Sequence, residues 1–379
     1  MTDFFNDHDL NELRLEAESL RAEIRRHDYL YYIEGTSEIS DGAYDELFAR
    51  LKSIEEAHPD LLTDDSPTLR VGGEVREDLP TVEHAAPMLS LDSTQDPEEV
   101  RRFDDRIRKG LEDEPIEYIL EPKLDGLSIE LVYERGVLTR GVTRGNGREG
   151  EGVTENVRTI GSVPLRLREE ERAAPEFLSV RGEVLMPLSA FEALNASLME
   201  KGEEPYANPR NFAAGTVRQL DSSITAQRPL DCLVYDILDI RGEPFRTDFD
   251  GVTALREWGF RIPERIRTAT TIEEILEYHA AYGQDRDILD YEIDGVVIKV
   301  NSLDDRADLG NTSRHPRWAL AFKFEPRKEI TRIEMIGLQV GRSGVLTPVA
   351  LLRPVEVGGV TVSRATLHNR EELLRKDIR

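Results

Sequence analysis

Glu121-Pro122-Lys123-Leu124-Asp125-Gly126 closes one apolar run and opens the next. Ile119 to Glu121, Leu127 to Tyr133 and Val137 to Arg144 are short β runs, broken by the turn dipeptides Asp125-Gly126 and Arg135-Gly136. Lys123 therefore stands at a strand end, just before a turn. Alone, that describes an ordinary solvated lysine beside a hairpin. Two further stretches change the reading: Asp294-Gly295-Val296-Val297-Ile298-Lys299 and Trp318-Ala319-Leu320-Ala321-Phe322-Lys323 each run through apolar β text to a lysine. A buried ammonium needs an anion beside it or must give up its charge. The chain has eight lysines against 41 arginines, so three lysines in such settings point to one polyphosphate site. One amine can serve as nucleophile, favoured in its neutral form by neighbouring cations, while the others stabilise phosphoryl oxygens.

Working outward, the N-terminal text is helical. Leu10, Leu13, Ala17, Leu20, Ile24 and Tyr31 recur at helical spacing to about Ile33, and Ser40 or Asp41 can cap a second helix with Tyr44, Leu47, Leu51 and Ile54 inward. His58-Pro59 ends it, and Pro59 to Pro87 reads as linker. Asp96-Pro97 starts a helix through about Lys109. Strands follow at 177–186, 230–238, 293–300 and 318–324, with helices at about 188–201 and 272–282. Without the regular alternation of a doubly wound fold, this is an α+β pattern with largely antiparallel sheet. After Pro326, runs at 330–340, 345–352 and 360–365 suggest a small β-barrel that the chain leaves unclosed.

The charge is lopsided. Asp plus Glu number 75 against 49 Lys plus Arg, a net −26. Such a balance argues against nucleic acid unless a local basic surface exists. An acidic, lysine-poor chain suits a salt-rich cytoplasm, where self-repulsion is screened. No run of about 18 apolar residues is present, so no membrane span is expected. The polar, acidic start lacks the form of a secretory signal. The single cysteine, Cys232, sits in apolar strand text and is expected in the core. His84, His315 and His368 are scattered without metal-ligand spacing.

The lysine set, in this order, resembles the covalent nucleotidyltransferases. Over essentially its whole length the sequence resembles the bacterial-type NAD⁺-dependent DNA ligase family. The strings that carry the likeness are Ser40-Asp41-Gly42-Ala43-Tyr44-Asp45, Met88-Leu89-Ser90-Leu91-Asp92, Lys123-Leu124-Asp125-Gly126 and Val180-Arg181-Gly182-Glu183. Further on stand Ala207-Asn208-Pro209-Arg210-Asn211, Arg218-Gln219-Leu220-Asp221 and both lysine strands. Last come Gly341-Arg342-Ser343-Gly344 with Thr347-Pro348-Val349-Ala350, and Ala365-Thr366-Leu367-His368-Asn369.

The resemblance implies a helical hairpin at residues 1–70 that recognises nicotinamide mononucleotide, an adenylation domain at 71–325 and a truncated OB-fold at 326–379. It implies that Lys123 attacks the α-phosphate of NAD⁺, that Glu121 and Lys299 face the adenine, and that Glu183 faces the ribose or a metal-bound water. Ser90, Leu91 and Arg144 complete the nucleotide pocket, with Lys323 on the α-phosphate. Asp125, Glu183 and Asp294 are the candidate helpers of Mg²⁺ or Mn²⁺, and Arg210 and Arg218 the candidate DNA phosphate contacts. Tyr31, Tyr32, Asp41, Tyr44 and Asp45 supply the aromatic faces and carboxylates that a cationic pyridinium ring requires.

Two positions depart from the family pattern. Asn146 stands where Asp is usual and Gly152 where an acid is usual, while Asn146-Gly147 itself suits a type I′ turn. Family members continue into a four-cysteine zinc module, helix-hairpin-helix repeats and a BRCT domain. With one cysteine, no zinc site is expected in this chain, and it is expected to self-adenylate as a monomer but seal nicked duplex DNA poorly. The competing readings are an ATP- or GTP-dependent RNA ligase or capping enzyme, and a scaffold that has lost its chemistry. The aromatic-acidic hairpin opposes the first, and the intact Lys123, Glu183, Lys299 and Lys323 set opposes the second.

Overall fold

The computed structural model describes residues 3–71, 78–112, 115–242, 244–325, 328–340, 346–357, 360–375 and 377. The chain falls into two units, Met1–Ala196 with Pro209–Phe324, and Ser197–Asn208 with Glu325–Arg379. Its fold class is α+β.

The first unit begins with the expected hairpin, α1 (Asp3–Tyr32) and α2 (Asp41–Ala57). Ala17, Leu20 and Ile24 pack against Leu51, Ile54 and Leu61. Ser40, not Asp41, is the cap: its hydroxyl accepts from the Ala43 N–H at 3.3 Å, and His58 closes the other end. The stretch expected as linker carries regular structure among its described residues. It holds two 3₁₀ turns, Pro59–Leu61 and Pro67–Val71, and a strand β1 (Thr81–Glu83). Arg70 fastens this segment to the stretch 158–163, donating to the carbonyls of Arg158, Ile160 and Val163.

The remaining elements of this unit are β2 (Asp92–Thr94), α3 (Pro97–Gly110), β3 (Tyr118–Leu124), β4 (Leu127–Glu134), β5 (Val137–Thr143), β6 (Glu149–Glu151) and α4 (Thr154–Arg158). Then come β7 (Phe177–Leu185), α5 (Leu188–Glu200, whose residues from Ser197 onward belong to the second unit), α6 (Pro209–Val217), α7 (Ser222–Ala226), β8 (Asp231–Arg241) and α8 (Asp248–Glu257). Last are β9 (Arg267–Ala269), α9 (Ile272–Asp285), β10 (Ile293–Val300), α10 (Leu303–Leu309) and β11 (Ala319–Lys323). The helices α4, α6, α7, α8 and α10 go beyond the sequence expectation. They are short, and α6 and α8 carry Gly215 and Gly251, so the few apolar residues of each span too little chain to mark a helix in sequence.

Two sheets build the frame, in the orders β2-β11-β10-β3-β9 and β5-β4-β7-β8. Pairing is antiparallel in both except between β2 and β11. Each sheet has its own core: Ile129, Leu131, Val180 and Val234 belong to one, and Leu120, Ile298, Leu320 and Phe322 to the other. Strands β3 and β4 are consecutive yet lie in different sheets, so Asp125-Gly126 is a crossover between sheets rather than a hairpin turn. Gly126 fits there because a Cβ would stand 2.3 Å from the Val184 carbonyl oxygen.

The type I′ expectation at Asn146-Gly147 fails. Positive φ falls on Gly145 and Gly147, and Gly147 N–H closes the turn on the Arg144 carbonyl at 2.9 Å. Asn146 instead uses its side-chain oxygen to accept from the Arg148 and Glu149 N–H groups, so it does not need the left-handed region.

In the second unit β12 (Ile333–Val340), β13 (Leu346–Val357) and β14 (Val360–Thr366) form an open antiparallel meander, followed by α11 (Arg370–Arg375). The Gly341-Arg342-Ser343-Gly344 string lies outside the described residues.

Candidate active site

Strand register brings the three lysines together. Gly295 of β10 pairs with Lys123 of β3 on one side and Lys323 of β11 on the other. Val297 pairs with Glu121, and Lys299 stands two residues further along β10. Since side chains alternate, Glu121, Lys123, Lys299 and Lys323 all face one side of the sheet. Gly295 leaves the space between the outer lysines open; a Cβ there would sit 2.4 Å from the Phe322 carbonyl oxygen. A register shift between Ile293 and Gly295 marks a bulge at Asp294. Bulges re-aim side chains. Here the Asp294 carboxylate reaches Lys123 Nζ at 2.9 Å and Lys323 Nζ at 3.1 Å. The nearest charge to Lys123 is thus a carboxylate, where neighbouring cations were expected.

Deeper in, Lys299 is buried at 4% side-chain exposure. Its Nζ lies 2.8 Å from Asp248 Oδ2, 3.1 Å from Glu121 Oε2 and 4.0 Å from Asp236 Oδ1. Burial opposes the ammonium, but Asp248, Glu121 and Asp236 together raise its pKa. Burial also lifts the Glu121 carboxyl, to about 7 despite Lys299. Asp248 goes the other way: burial works against its charge, yet Arg306 and then Lys299 outweigh that and hold it at about 2. On the facing sheet Glu183 accepts from the Tyr235 hydroxyl at 3.2 Å, and its pKa is raised by burial.

These groups, Asp248 excepted, line one cavity of about 740 Å³. Of the residues singled out from sequence, Ser90, Leu91, Glu121, Lys123, Asp125, Arg144, Glu183, Arg210, Arg218, Asp294, Lys299 and Lys323 all line it. Arg144 lies 3.5 Å from the Ser90 hydroxyl. Arg210 is paired with Asp125 at 2.6 Å and Arg218 with Glu151 at 2.7 Å. The five hairpin residues are not among the lining residues. Tyr31 and Tyr32 meet edge to face at 5.0 Å, and Tyr32 packs over Gly161. Tyr44 donates to Asp28 at 2.7 Å, while Asp41 and Asp45 are exposed.

Sequence reasoning missed Arg181, Tyr235, Asp236, Asp248 and Arg306. Arg181 had a signal: it stands two residues from Glu183 on one strand, and it donates to the Leu89 carbonyl at 2.9 Å, next to Ser90. Asp248 and Arg306 had none, since both sit on helices the sequence did not reveal.

Residues 76–327 match the family model described as NAD-dependent DNA ligase adenylation domain. The chain belongs to the NAD-dependent DNA ligase family. Residues 10–72 match the DNA ligase-like N-terminal NAD⁺-binding domain, and 330–379 the OB-fold domain of the same ligases. The DNA ligase of Geobacter metallireducens is 52% identical over 374 residues, covering 98% of this chain and 55% of that one. The Salinibacter ruber DNA ligase is 52% identical, covering 96% of this chain and 53% of that one. The Haloarcula marismortui DNA ligase is 53% identical over 374 residues, covering 97% and 53%. The chain thus spans about half the length of the curated relatives it matches. Among the described residues no helix is long and apolar enough to cross a membrane.

Proposed function

We propose that this chain is the nucleotide-charging part of an NAD⁺-dependent DNA ligase, with domains at 1–70, 71–325 and 326–379. The observation that carries the reading is the Lys123–Asp294–Lys323 bridge at the cavity wall. Asp294 stands within proton-transfer distance of Lys123 Nζ and takes the proton that the ammonium must lose. The neutral amine attacks the α-phosphorus of NAD⁺. A P–N bond forms, the pyrophosphate P–O bond breaks, and nicotinamide mononucleotide leaves with the bonding electrons. Lys323 neutralises the phosphoryl oxygens as charge develops. Glu121 and Lys299 bind the adenine edge, Tyr235 offers it an aromatic face, Glu183 takes the ribose hydroxyls, and Ser90, Leu91 and Arg144 close the pocket. AMP then passes to the 5′-phosphate of a DNA nick, and the 3′-hydroxyl displaces it to seal the strand.

Tyr31, Tyr32, Asp41, Tyr44 and Asp45 would take the cationic nicotinamide end. Since they do not line the cavity, this part of the reading requires the hairpin to approach it. Arg210 and Arg218 would exchange Asp125 and Glu151 for DNA phosphates.

The residues do not fit a protein-built Mg²⁺ or Mn²⁺ cage. Asp294 is bridged by two lysines, Asp125 is held by Arg210, and no three-ligand acidic or His/Cys group occurs among the described residues.

Intact mass after incubation with NAD⁺ or ATP, in Mg²⁺ and high KCl, tests the reading. One AMP is expected on the wild type from NAD⁺ alone and none on Lys123→Ala. An adduct from ATP moves the chain to the ATP-dependent relatives; no adduct from either overturns the charging role.

A further inference from the structure

The carboxylate nearest Lys299 does not line the cavity. Glu121, Asp236, Lys299 and Arg306 do, whereas Asp248 stands behind them. Asp248 is nevertheless the most firmly placed member of the group. It opens α8 after the N-cap Thr247, where the helix dipole favours a negative charge. Its own N–H donates to the Asn301 carbonyl at 2.8 Å, two residues beyond Lys299. Its Oδ2 is shared between Lys299 Nζ at 2.8 Å and Arg306 Nη2 at 2.7 Å. Arg306 is fixed in turn, by donation from Nε to the Val300 carbonyl and by the Trp318 ring, 4.2 Å away.

Lys299 is in ion-pair contact with Glu121 at 3.1 Å as with Asp248 at 2.8 Å, yet among the described residues neither Lys299 Nζ nor Glu121 Oε2 makes a well-directed hydrogen bond to any partner, Asp248 included. Two buried polar atoms left so at a cavity wall are the mark of a ligand's place. Three carboxyls face two cations here, so Lys299 need not be neutralised by Glu121 alone.

We propose that Asp248, clamped by Arg306, is a positioning residue that sets base specificity: it shares the Lys299 ammonium with Glu121, so that Glu121 alone does not hold it. The pair then offers the ligand one donor and one free acceptor side by side. A 6-aminopurine edge presents the matching acceptor, N1, beside a donor, the amine. A 6-oxopurine edge reverses both. This rests on the reading that the cavity takes NAD⁺.

Calorimetric titration with NAD⁺ and with nicotinamide hypoxanthine dinucleotide tests it on the wild type, Asp248→Asn and the double variant Asp248→Asn/Arg306→Gln. The single variant leaves Arg306 buried without its carboxylate and can lose stability for that reason alone. The double variant removes one charge of each sign and keeps the cluster's balance. Wild type is expected to prefer NAD⁺, and both variants to lose roughly tenfold or more of that preference, because a mismatched polar edge leaves buried groups unpaired. Half-saturation for AMP-adduct formation should rise with it, while the rate at saturating NAD⁺ changes little. A double variant that melts like wild type and keeps the full preference overturns the proposal. Wild type that binds both dinucleotides equally overturns it while the charging role stands. Wild type that binds neither brings down both.

Discussion

His84 shows what a single residue does at the edge of this site. Its Nδ1 lies 2.6 Å from Glu130 Oε2 and its Nε2 3.0 Å from the Arg144 carbonyl, so both ring nitrogens face acceptors. Only the imidazolium carries two N–H donors. Burial opposes that charge, but Glu130 and the Arg144 carbonyl outweigh it and raise the pKa. Arg181 is the nearby cation that works against it. A group whose folded pKa is raised contributes stability that is complete below its unfolded value, about 6.5, and is lost as pH climbs through the folded value. The stability difference between wild type and His84→Ala should therefore be greatest near roughly pH 6 and shrink towards roughly pH 9. Urea midpoints across that range measure it; a constant difference would show that His84 contributes by packing alone. None of this was legible in sequence, where His84 reads as one of several scattered histidines.

Among elements, the step from β3 to β4 matters most. Sequence marks Lys123 and a turn after it, but Asp-Gly between two apolar runs reads as a hairpin. The chain instead changes sheets at Gly126, and that change makes the two sheets the walls of a cavity. A Cβ at Gly126 would meet the Val184 backbone oxygen at 2.3 Å and Leu185 Cδ2 at 2.6 Å. Backbone cannot yield as a side chain can, so Gly126→Ala should cost about 1–3 kcal/mol and slow adduct formation. Gly42→Ala is the control: it lies in α2 with nothing within 4 Å of its Cβ, and should be neutral or slightly stabilising. Equal denaturation midpoints for the two variants would refute the close-approach argument. The bulge at Asp294 is a second device of this kind. A regular strand would point Asp294 away from the lysines flanking Gly295, and alternation in the sequence gives no sign of the slip.

At the scale of the whole molecule the net charge of −26 dominates. Like charges repel in the folded state more than in the expanded one, and salt shortens the range of that repulsion from about 10 Å at 0.1 M to about 3 Å at 1 M. The thermal midpoint should rise steadily as KCl goes from low to molar concentration. A midpoint that is flat or falls would remove salt adaptation as the reason for the acidic surface. The α+β class, the N-terminal hairpin and the strands that carry Glu121, Lys123, Glu183, Lys299 and Lys323 are legible in the amino-acid text. Those features follow from local periodicity, turn chemistry and the rarity of lysine, all of which are properties of neighbouring residues. Tertiary structure alone decided that Lys123 and Lys323 share Asp294, that Asp248 and Arg306 stand behind Lys299, and that the hairpin aromatics lie off the cavity wall. These depend on strand register, on a bulge and on short helices held by packing, and each of those is set by contacts between residues far apart in the chain.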